Sequence, residues 1–333
     1  MIKIALFGIG YWGPNLLRVF ISLPKVKVSI ICDKNKKLVD KFKLLYPKIK
    51  FSSDVGEVLK SKAIDAVVIS TPATTHYAIA KVALSAGKDV FTEKPLALKV
   101  KDAADLVNLA QKYRRILMVG HLLEYHPSVL KLKSLIDNAE LGRIYYIESR
   151  RLNLGKIRHE ENVLWSLATH DIATMIFLLG KMPSFVNAGG GSYIQKQVED
   201  LAFVTLHFPG NILGHISVNW LSPRKVREIT VVGSRKMAIF DDMAPEEKLK
   251  IWNQYKEKER FVDYARLPTL KFGSISIPRV RLDEPLKLEC EHFIECVKHR
   301  RKPRSDGKDG LGVLRVLKAA QDSLEKRKVM KIA

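Results

Sequence analysis

The first 120 residues alternate between two hydrophobic patterns. Short, β-branched runs, mostly apolar on both faces, predict buried strands over Ile2–Phe7, Val26–Cys32, Ala66–Ser70, Asp89–Phe91 and Ile116–Val119. Apolar positions at helical spacing predict helices between them, over Pro14–Ile21, Lys37–Tyr46, Tyr77–Ala86 and Val100–Tyr113. Such strands, when helices separate them, are typical of a parallel sheet covered on both sides. The pattern therefore predicts a doubly wound α/β domain.

From about residue 143 onward, strand patterns follow one another directly. The predicted strands are Ile144–Leu152, Ser184–Tyr193, Leu201–Phe208, Ile212–Trp220, Glu228–Val232 and Met237–Asp241. Short turns such as Pro209-Gly210-Asn211 predict hairpins, so this half is expected to be an α+β domain with an open, mostly antiparallel sheet. The remaining predictions are a helix over Val163–Leu179, a loop over Leu267–Pro278, and terminal helices over Pro285–His299 and Gly310–Lys326 that pack back on the first domain.

Composition and charge limit the class of protein and the partners that fit this two-part organisation. At 333 residues, 47% of them hydrophobic and 28% charged, the chain has a globular composition and room for two domains, which we place at residues 1–122 and 123–333. Its longest apolar stretch contains His170 and Asp171, so no membrane span is predicted. Three cysteines and the lack of a signal-peptide pattern favour the cytoplasm.

The net charge of +22 raises the question of a nucleic-acid partner. The excess is concentrated in residues 1–50 and 301–333, where much of it lies on predicted amphipathic surfaces. No basic run interleaved with aromatic residues and no nucleic-acid-reading motif accompanies it. A solvated basic surface is therefore favoured, and a small-molecule ligand is expected instead of nucleic acid.

A glycine motif follows the first predicted strand and opens the first helix. In Gly8-Ile9-Gly10-Tyr11-Trp12-Gly13, the first glycine suits a tight turn, the second allows a pyrophosphate to approach the backbone, and the third allows close helix packing. Asp33 ends the second strand about 20 residues further on, where a carboxylate accepts hydrogen bonds from ribose hydroxyls. The spacing predicts a Rossmann domain that binds NAD, with NADP as an alternative because Lys34 is adjacent.

Two further turns lie at the carboxyl edge of the same predicted sheet, where open α/β folds bind ligands. They are Ser70-Thr71-Pro72 with His76, and Glu93-Lys94-Pro95. On residue types alone, the second turn is as well explained by a surface charge pair. The predicted cofactor contacts are Gly8, Gly10, Tyr11, Trp12, Gly13, Asn15, Asp33, Lys34, Ser70, Thr71, Pro72, His76, Glu93, Lys94 and His121.

Taken together, these motifs and His170 resemble the glucose–fructose oxidoreductase/inositol dehydrogenase (Gfo/Idh/MocA) family, over nearly the whole chain. Local details such as Gly10-Tyr11-Trp12-Gly13-Pro14-Asn15 are most similar to its UDP-N-acetylglucosamine and UDP-N-acetylglucosaminuronate 3-dehydrogenases. The resemblance implies an oxidoreductase that transfers hydride between a sugar secondary alcohol and nicotinamide. Lys94 would be its catalytic lysine and His170 its acid–base histidine. Neutral imidazole is suited to accept the alcohol proton near neutral pH.

The expected substrate contacts are Lys94, Tyr125, Arg151, Asn153, Trp165, Ser166, His170 and Asp171. Ser166 departs from many relatives, which have an aspartate four residues before the histidine. Asp171 is adjacent to His170 in the sequence, but on a helix its side chain points in another direction, so it does not simply replace the charge of the missing aspartate. A non-catalytic regulator that senses dinucleotides on the same fold is the alternative function. The resemblance also implies a homodimer or homotetramer. No metal site is expected, although His292, Cys296 and His299 form one helical stripe.

Overall fold

The computed structural model describes residues 1–155, 161–256, 270–281 and 283–332. The chain divides into two compact units. Unit 1 comprises Met1–His126 and Asp283–Arg315, and unit 2 comprises Pro127–Leu282 and Val316–Ala333. Unit 1 thus includes a late segment of the chain that the sequence analysis counted within the second domain.

Unit 1 contains a six-stranded parallel sheet in the order β3-β2-β1-β4-β5-β6. Its strands are β1 (Ile2–Phe7), β2 (Val26–Cys32), β3 (Lys50–Ser52), β4 (Ala66–Ile69), β5 (Asp89–Glu93) and β6 (Leu117–Gly120). Its early helices are α1 (Gly13–Ser22), α2 (Lys36–Leu45), α3 (Val55–Lys60), α4 (His76–Ser85) and α5 (Val100–Lys112). The order reverses direction beside β1, which confirms the doubly wound fold and brings the carboxyl ends of β1, β4, β5 and β6 to one edge.

The late segment of unit 1 completes its core. Helix α8 (Pro285–His299) places Phe293 against Phe20 and Phe91, with ring centroids 5.7–6.4 Å apart in edge-to-face contacts. After α8, the Val119 amide donates to the Ser305 carbonyl oxygen (2.8 Å), and Met118 forms an antiparallel bridge with Asp306. The segment after α8 therefore lies directly beside β6.

Helix α9 (Gly307–Lys326) begins next to β6 because two glycines allow it. A Cβ on Gly307 would lie 2.6 Å from a methyl carbon of Leu117, and one on Gly310 would lie 2.6 Å from a methyl carbon of Val119. This close approach brings Asp309, in the first turn of α9, to the end of β6. The division between the two units falls within this helix. Within the described ranges, we find no helix with the length and apolar character needed to cross a membrane.

Unit 2 contains a nine-stranded mixed sheet in the order β14-β13-β12-β11-β7-β10-β9-β8-β15. The strands are β7 (Ile144–Leu152), β8 (Phe185–Gly191), β9 (Leu201–Phe208), β10 (Ile212–Asn219), β11 (Val226–Gly233), β12 (Lys236–Asp241), β13 (Leu249–Lys256), β14 (Leu270–Ser276) and β15 (Met330–Lys331). The pairing of β10 with β7 is parallel, and the others are antiparallel. Helices α6 (Pro127–Asp137) and α7 (Thr169–Leu179) belong to the same unit.

The structure corrects two local predictions and adds elements that the sequence analysis did not predict. Strand β14 lies where the sequence predicts a loop, because Gly273 and Pro278 obscure its pattern; residues 267–269 of that loop lie outside the described residues. The helix predicted over Val163–Leu179 is a π-helical turn over Leu164–Ala168 followed by α7. The short β3 and α3 were not predicted, since three to six residues with several charged side chains give little periodicity.

Candidate active site

The glycine loop after β1 has the geometry that its sequence predicts. Gly8 has φ +90°, and a Cβ there would lie 2.8 Å from the Ser70 backbone. A Cβ on Gly13 would lie 2.2 Å from the Gly8 carbonyl oxygen, so the start of α1 packs directly on the loop. Gly10, in contrast, faces open space, and Tyr11 beside it is 92% exposed. Gly8 and Gly13 are therefore required by the fold, whereas Gly10 leaves room for a ligand to approach the backbone.

The surroundings of this loop fit a dinucleotide. Helix α1 has no side-chain cap and no acidic residue in its first turn, so its N-terminal N–H groups and partial positive charge suit phosphates. The Asp33 carboxylate at the end of β2 accepts hydrogen bonds from the Ile9 amide (2.8 Å) and the Asn35 amide (2.7 Å). These bonds hold an acidic group beside the loop, in the position where a ribose is recognised. Lys34 is exposed next to it.

The turn after β4 is held by hydrogen bonds that the sequence does not indicate. The Ser70 hydroxyl donates to the Gly8 carbonyl oxygen (2.8 Å). The two ring nitrogens of His76 lie 2.8 Å from the Pro95 and Thr71 carbonyl oxygens. Burial is the main cause that lowers the pKa of His76. We predicted His76 as a cofactor contact; the structure gives its side chain an internal role, tying two turns of the sheet edge together.

Glu93 and Lys94 lie at the carboxyl end of β5. The Lys94–Pro95 peptide bond is cis. The Glu93 carboxylate accepts hydrogen bonds from the Trp12 indole and the Lys94 amide, so Trp12 connects the glycine loop to this turn. Burial nevertheless raises the pKa of Glu93 to about 7. Its carboxyl lies against Gly120, where a Cβ would be 3.1 Å from Oε2, so a side chain at position 120 would require the Glu93 carboxyl to shift by a few tenths of an ångström.

Beyond β6 is a group of buried and partly buried ionisable side chains, of which the sequence analysis identified only His121, as a cofactor contact. His121 is 2% exposed, and its Nε2 lies 3.6 Å from Asp309 Oδ2. Burial lowers the pKa of His121 to about 3, and burial raises the pKa of Asp309 to about 7. Burial likewise raises the pKa of Glu124 and of Glu289 well above their usual values. Glu289 shows the sequence signal that was available: an acidic residue on the apolar stripe of α8.

In unit 2, the residues around His170 are fixed by a buried ion pair. Asp171 on α7 is fully buried, and its carboxylate accepts hydrogen bonds from Arg151 Nε (2.9 Å) and Nη2 (3.0 Å) and from the Ser149 hydroxyl (2.6 Å). Arg151 and Ser149 both belong to β7. The pair therefore anchors α7 to the sheet one residue away from His170. Thr174 Oγ1 also donates to the His170 carbonyl oxygen (2.7 Å).

The π-helical turn before His170 contains two other predicted residues. The Trp165 indole donates to Gln321 Oε1 (3.3 Å), and Asn162 Nδ2 donates to the same oxygen (2.9 Å). Gln321 is thus a neighbour that sequence reasoning did not identify. Ser166 is buried, while Trp165 is partly exposed. Single π-helical turns occur frequently at functional sites, and this one ends at the residue before α7 begins.

Several predicted substrate contacts have internal roles instead. Tyr125 in unit 1 is 1% exposed; its hydroxyl lies 2.9 Å from Ser305 Oγ, and its ring packs against Arg304. Arg151 and Asp171 satisfy each other as described above, so their charges hold the fold together. The partly exposed predicted residues are Asn153, Trp165 and His170 in unit 2 and Lys94 in unit 1.

The protein has two α/β units, and the first unit has the fold and the glycine loop of a dinucleotide-binding Rossmann domain. Residues 2–121 match the family model described as "Oxidoreductase family, NAD-binding Rossmann fold", and residues 133–332 match "Oxidoreductase family, C-terminal alpha/beta domain". The chain therefore belongs to the Gfo/Idh/MocA oxidoreductase family. This confirms the resemblance deduced from the motifs.

Among characterised relatives, the UDP-N-acetylglucosamine 3-dehydrogenase of Acidithiobacillus ferrooxidans is 33% identical over 53% of this chain and 53% of its own length. The scyllo-inositol 2-dehydrogenase (NAD(+)) of Bacillus subtilis is 25% identical over 91% and 88%, respectively. The chain spans 53–60% of the length of the first curated relatives that it matches. Among solved structures, the Acidithiobacillus enzyme has TM-score 0.83 at 22% identity, covering 97% of each chain, which shows a shared fold.

Proposed function

We propose that this protein is an NAD-dependent dehydrogenase that oxidises a secondary alcohol of a sugar or polyol. The observation that carries the proposal is the position of Lys94. It follows β5 at the carboxyl edge of the sheet that also bears the glycine loop, and the Trp12–Glu93 hydrogen bond links the two turns. Several named relatives in this family are dehydrogenases that act on CH–OH groups.

The side chains supply the proton chemistry of such a reaction. Bound NAD would supply the hydride acceptor, and the protein would orient the alcohol toward it. In the proposal, the Lys94 ammonium donates a hydrogen bond to the alcohol oxygen and stabilises the negative charge that develops there. His170 accepts the hydroxyl proton, which a neutral imidazole does well near neutral pH. The Arg151–Asp171 pair positions His170 by anchoring the helix that bears it.

For the substrate, we propose carbon 3 of a UDP-N-acetylated hexose or hexuronate. The support is the Acidithiobacillus relative, named a UDP-N-acetylglucosamine 3-dehydrogenase, together with the resemblance of local motifs to such enzymes. Inositol dehydrogenases among the relatives make a free polyol the comparison substrate. Ser166 supplies a neutral hydroxyl in the position of an aspartate in many relatives, so a direct charge contact from this position is not part of the proposal.

For the cofactor, Asp33 favours NAD over NADP. A carboxylate beside the ribose hydroxyls accepts their hydrogen bonds and repels a 2′-phosphate. We expect Asp33→Asn to reduce the preference for NAD, measured as the ratio of kcat/KM values for the two cofactors. An Asp40→Asn variant on the exposed face of α2 is the matched control, because it removes the same charge away from the loop.

The experiment that tests the function monitors reduced-nicotinamide absorbance with NAD and a panel of UDP-N-acetylglucosamine, UDP-N-acetylglucosaminuronate, scyllo-inositol and myo-inositol. Lys94→Met and His170→Asn are each expected to lower kcat by roughly 10²- to 10⁴-fold. NAD binding, measured by calorimetry, should survive in both variants. Tight NAD binding without turnover on any of these substrates would instead favour the dinucleotide-sensing regulator, and near-normal activity of both variants would refute the assigned roles.

We also propose that the protein forms a homo-oligomer through one face of the unit 2 sheet. Side chains alternate along β9 and β10, and the face opposite the buried one exposes Phe203 and Leu213, with Tyr146 of β7 beside Leu213 in register. Exposed apolar and aromatic side chains in one patch favour a protein interface. Light scattering should give a dimer or tetramer that Phe203→Glu with Leu213→Glu converts to monomer. A wild-type monomer would contradict the proposal.

The cellular compartment remains a prediction of the sequence. Cys32, Cys290 and Cys296 are all buried and free in the structure, which fits a reducing cytoplasm.

A further inference from the structure

Packing alone does not explain the group of ionisable side chains that lies beyond β6. We call the buried Glu124 and His121 and the partly buried Asp309 the triad. Within the described residues, both ring nitrogens of His121, Oε1 of Glu124 and Oδ2 of Asp309 lack hydrogen-bond partners. Buried polar atoms are rarely left unpaired, and each such case calls for an explanation. Here four of them occur in three neighbouring side chains at the carboxyl edge of the sheet.

The triad lies beside Lys94. In the β5–β6 register, Glu93 pairs with Gly120, so the next residues of the two strands, Lys94 and His121, leave the sheet side by side. Burial is the main cause of the lowered pKa of His121, and the positive charge of Lys94 is near enough to lower it further. His121 is therefore a neutral imidazole at neutral pH, with one nitrogen that donates and one that accepts.

The carboxyl pair has a definite arrangement of charge. A hydrogen bond between the two side chains raises the pKa of Glu124 and lowers that of Asp309, although burial raises both. Above about pH 7, Glu124 is thus the protonated member and donates to the ionised Asp309 carboxylate. That carboxylate also faces His121 Nε2 at 3.6 Å, so a shortening of about 0.6 Å brings this contact to hydrogen-bond distance.

The charges around the triad come from every element packed on it. Arg304 lies near Glu124 and donates through Nη1 to its carbonyl oxygen (2.9 Å). Asp306 and Lys302 act on Asp309 with opposite sign. Glu289 of α8 adds to the raised pKa of Glu124. Among the charges of the described residues, it is Lys94 that lowers the pKa of His121.

We propose that Asp309 and His121 are positioning residues for Lys94. The Asp309 carboxylate holds the His121 proton on Nε2, and the Nδ1 lone pair then accepts a hydrogen bond from the Lys94 ammonium, which orients it toward the alcohol. Glu124, as a carboxylic acid, holds the Asp309 carboxylate in place. The inference rests on the proposed function for the role of Lys94, while the tautomer of His121 is independent of it.

The tautomer explains why a carboxylate is needed at position 309. A carboxylate only accepts hydrogen bonds, so it selects the Nε2–H form of the ring. In Asp309→Asn, the side-chain amide can donate to Nε2, which moves the ring proton to Nδ1 and presents an N–H to the lysine. Replacing the carboxylate that orients a catalytic histidine by an amide has this effect in serine proteases, at a large cost in rate.

The first test is ¹⁵N NMR of the full chain, which needs no substrate. At pH 8, above the pKa of about 7 of Asp309, His121 is expected to be neutral with the proton on Nε2, to change to the Nδ1–H form in Asp309→Asn, and to keep the Nε2–H form in Glu124→Gln. An imidazolium at pH 8, or an unchanged tautomer in Asp309→Asn, overturns the proposal whether or not any sugar is turned over.

The second test is turnover on the substrate identified by the panel. Asp309→Asn is expected to lower kcat at least 10-fold with KM for NAD changed less than 3-fold, and Asp309→Glu should recover part of the loss. Glu289→Gln is the matched control, because that carboxyl is buried in the same unit with a raised pKa and acts on the pKa of Glu124, not on that of His121. Equal losses in Asp309→Asn and Glu289→Gln, or a loss that follows the melting temperature alone, contradict a positioning role. Inactive wild-type protein refutes the proposed function and leaves the NMR test to decide the tautomer.

Discussion

Each unit contains a carboxylate next to a histidine to which we assign a role, and the surroundings of the two carboxylates differ. In unit 2, Asp171 beside His170 is bonded by the Arg151 guanidinium and the Ser149 hydroxyl. In unit 1, Asp309 near His121 is bonded by the protonated Glu124 and lacks an adjacent guanidinium of that kind among the described residues.

The difference separates two uses of buried charge. A carboxylate that is fully hydrogen-bonded to a guanidinium fixes two elements in place, here α7 and β7. A pair of carboxyls that shares one proton is costly to bury, because ionising the second one places two like charges together. The first arrangement holds the fold, whereas in our proposal the second acts on His121 and, through it, on Lys94.

The largest expected effect comes from breaking the ion pair of unit 2. Arg151→Met leaves Asp171 charged and buried, and we expect the free energy of unfolding to fall by ~3–5 kcal/mol. Urea unfolding followed by circular dichroism measures it. Arg150→Met on the same strand is the control, since Arg150 is exposed and its loss should change stability by at most ~0.5 kcal/mol. Equal effects of both variants would show that the buried pair carries no special weight.

The next effect is the pH dependence of wild-type stability. The pKa of Asp309 and of Glu93 is raised to about 7, so between about pH 4 and 7 these groups bind more protons in the folded than in the unfolded state. The free energy of unfolding should therefore fall as pH rises through this window, by ~1.4 kcal/mol for each unit of raised pKa. His121, with its pKa lowered to about 3, acts in the opposite direction between about pH 3 and 6.5. Urea unfolding between pH 5 and 8 measures the net slope.

A smaller effect of opposite sign to the Arg151 result is expected in unit 1. Glu124→Gln removes one of the two carboxyls and keeps a donor for Asp309, so at pH 8 the variant should be more stable than wild type by ~1–2 kcal/mol. At pH 5 the two should be about equal. Urea unfolding at both pH values checks this, and a loss of several kcal/mol at pH 8 would show that the pair is a structural contact like that of unit 2.

The smallest effect on stability is expected in the glycine loop. Gly10→Ala places a Cβ in open space at an unstrained φ, so stability should change by less than ~1 kcal/mol, while NAD binding weakens at least 10-fold because the backbone is obstructed. Gly13→Ala is the comparison variant, since its Cβ would lie 2.2 Å from the Gly8 carbonyl oxygen and must move backbone. Thermal unfolding and calorimetric NAD titration separate the two. Similar melting temperatures for both variants would contradict the assignment of Gly13 to packing.

Much of unit 1 was predictable because its signals are local. Strands β1 and β2 occur at the predicted residues, and Gly8, Gly13 and Asp33 have the geometry that their spacing requires. Buried parallel strands give continuous apolar runs, and a tight turn requires glycine whatever the rest of the chain does. The order of the strands in unit 2 was less accessible, because the parallel pairing of β10 with β7 depends on contacts distant in sequence.

The site residues divide in the same way. Residue type and motif suggested Lys94 and His170, but they gave no reason to connect His121 with Asp309, which is 188 positions away in the numbering. Nor did they indicate that Tyr125, Arg151 and Asp171 are buried. An arginine on a strand and an aspartate on a helix look available to a ligand until their partners are known.

What the amino-acid sequence determined by itself is the fold class, the dinucleotide loop and the family, since each depends on patterns within short stretches of chain. The tertiary structure decided which polar side chains are paired with each other and which face a reactive group. Burial and pairing set the charge of a carboxyl or an imidazole, and both depend on segments such as the start of α9 that the chain brings to β6 only on folding.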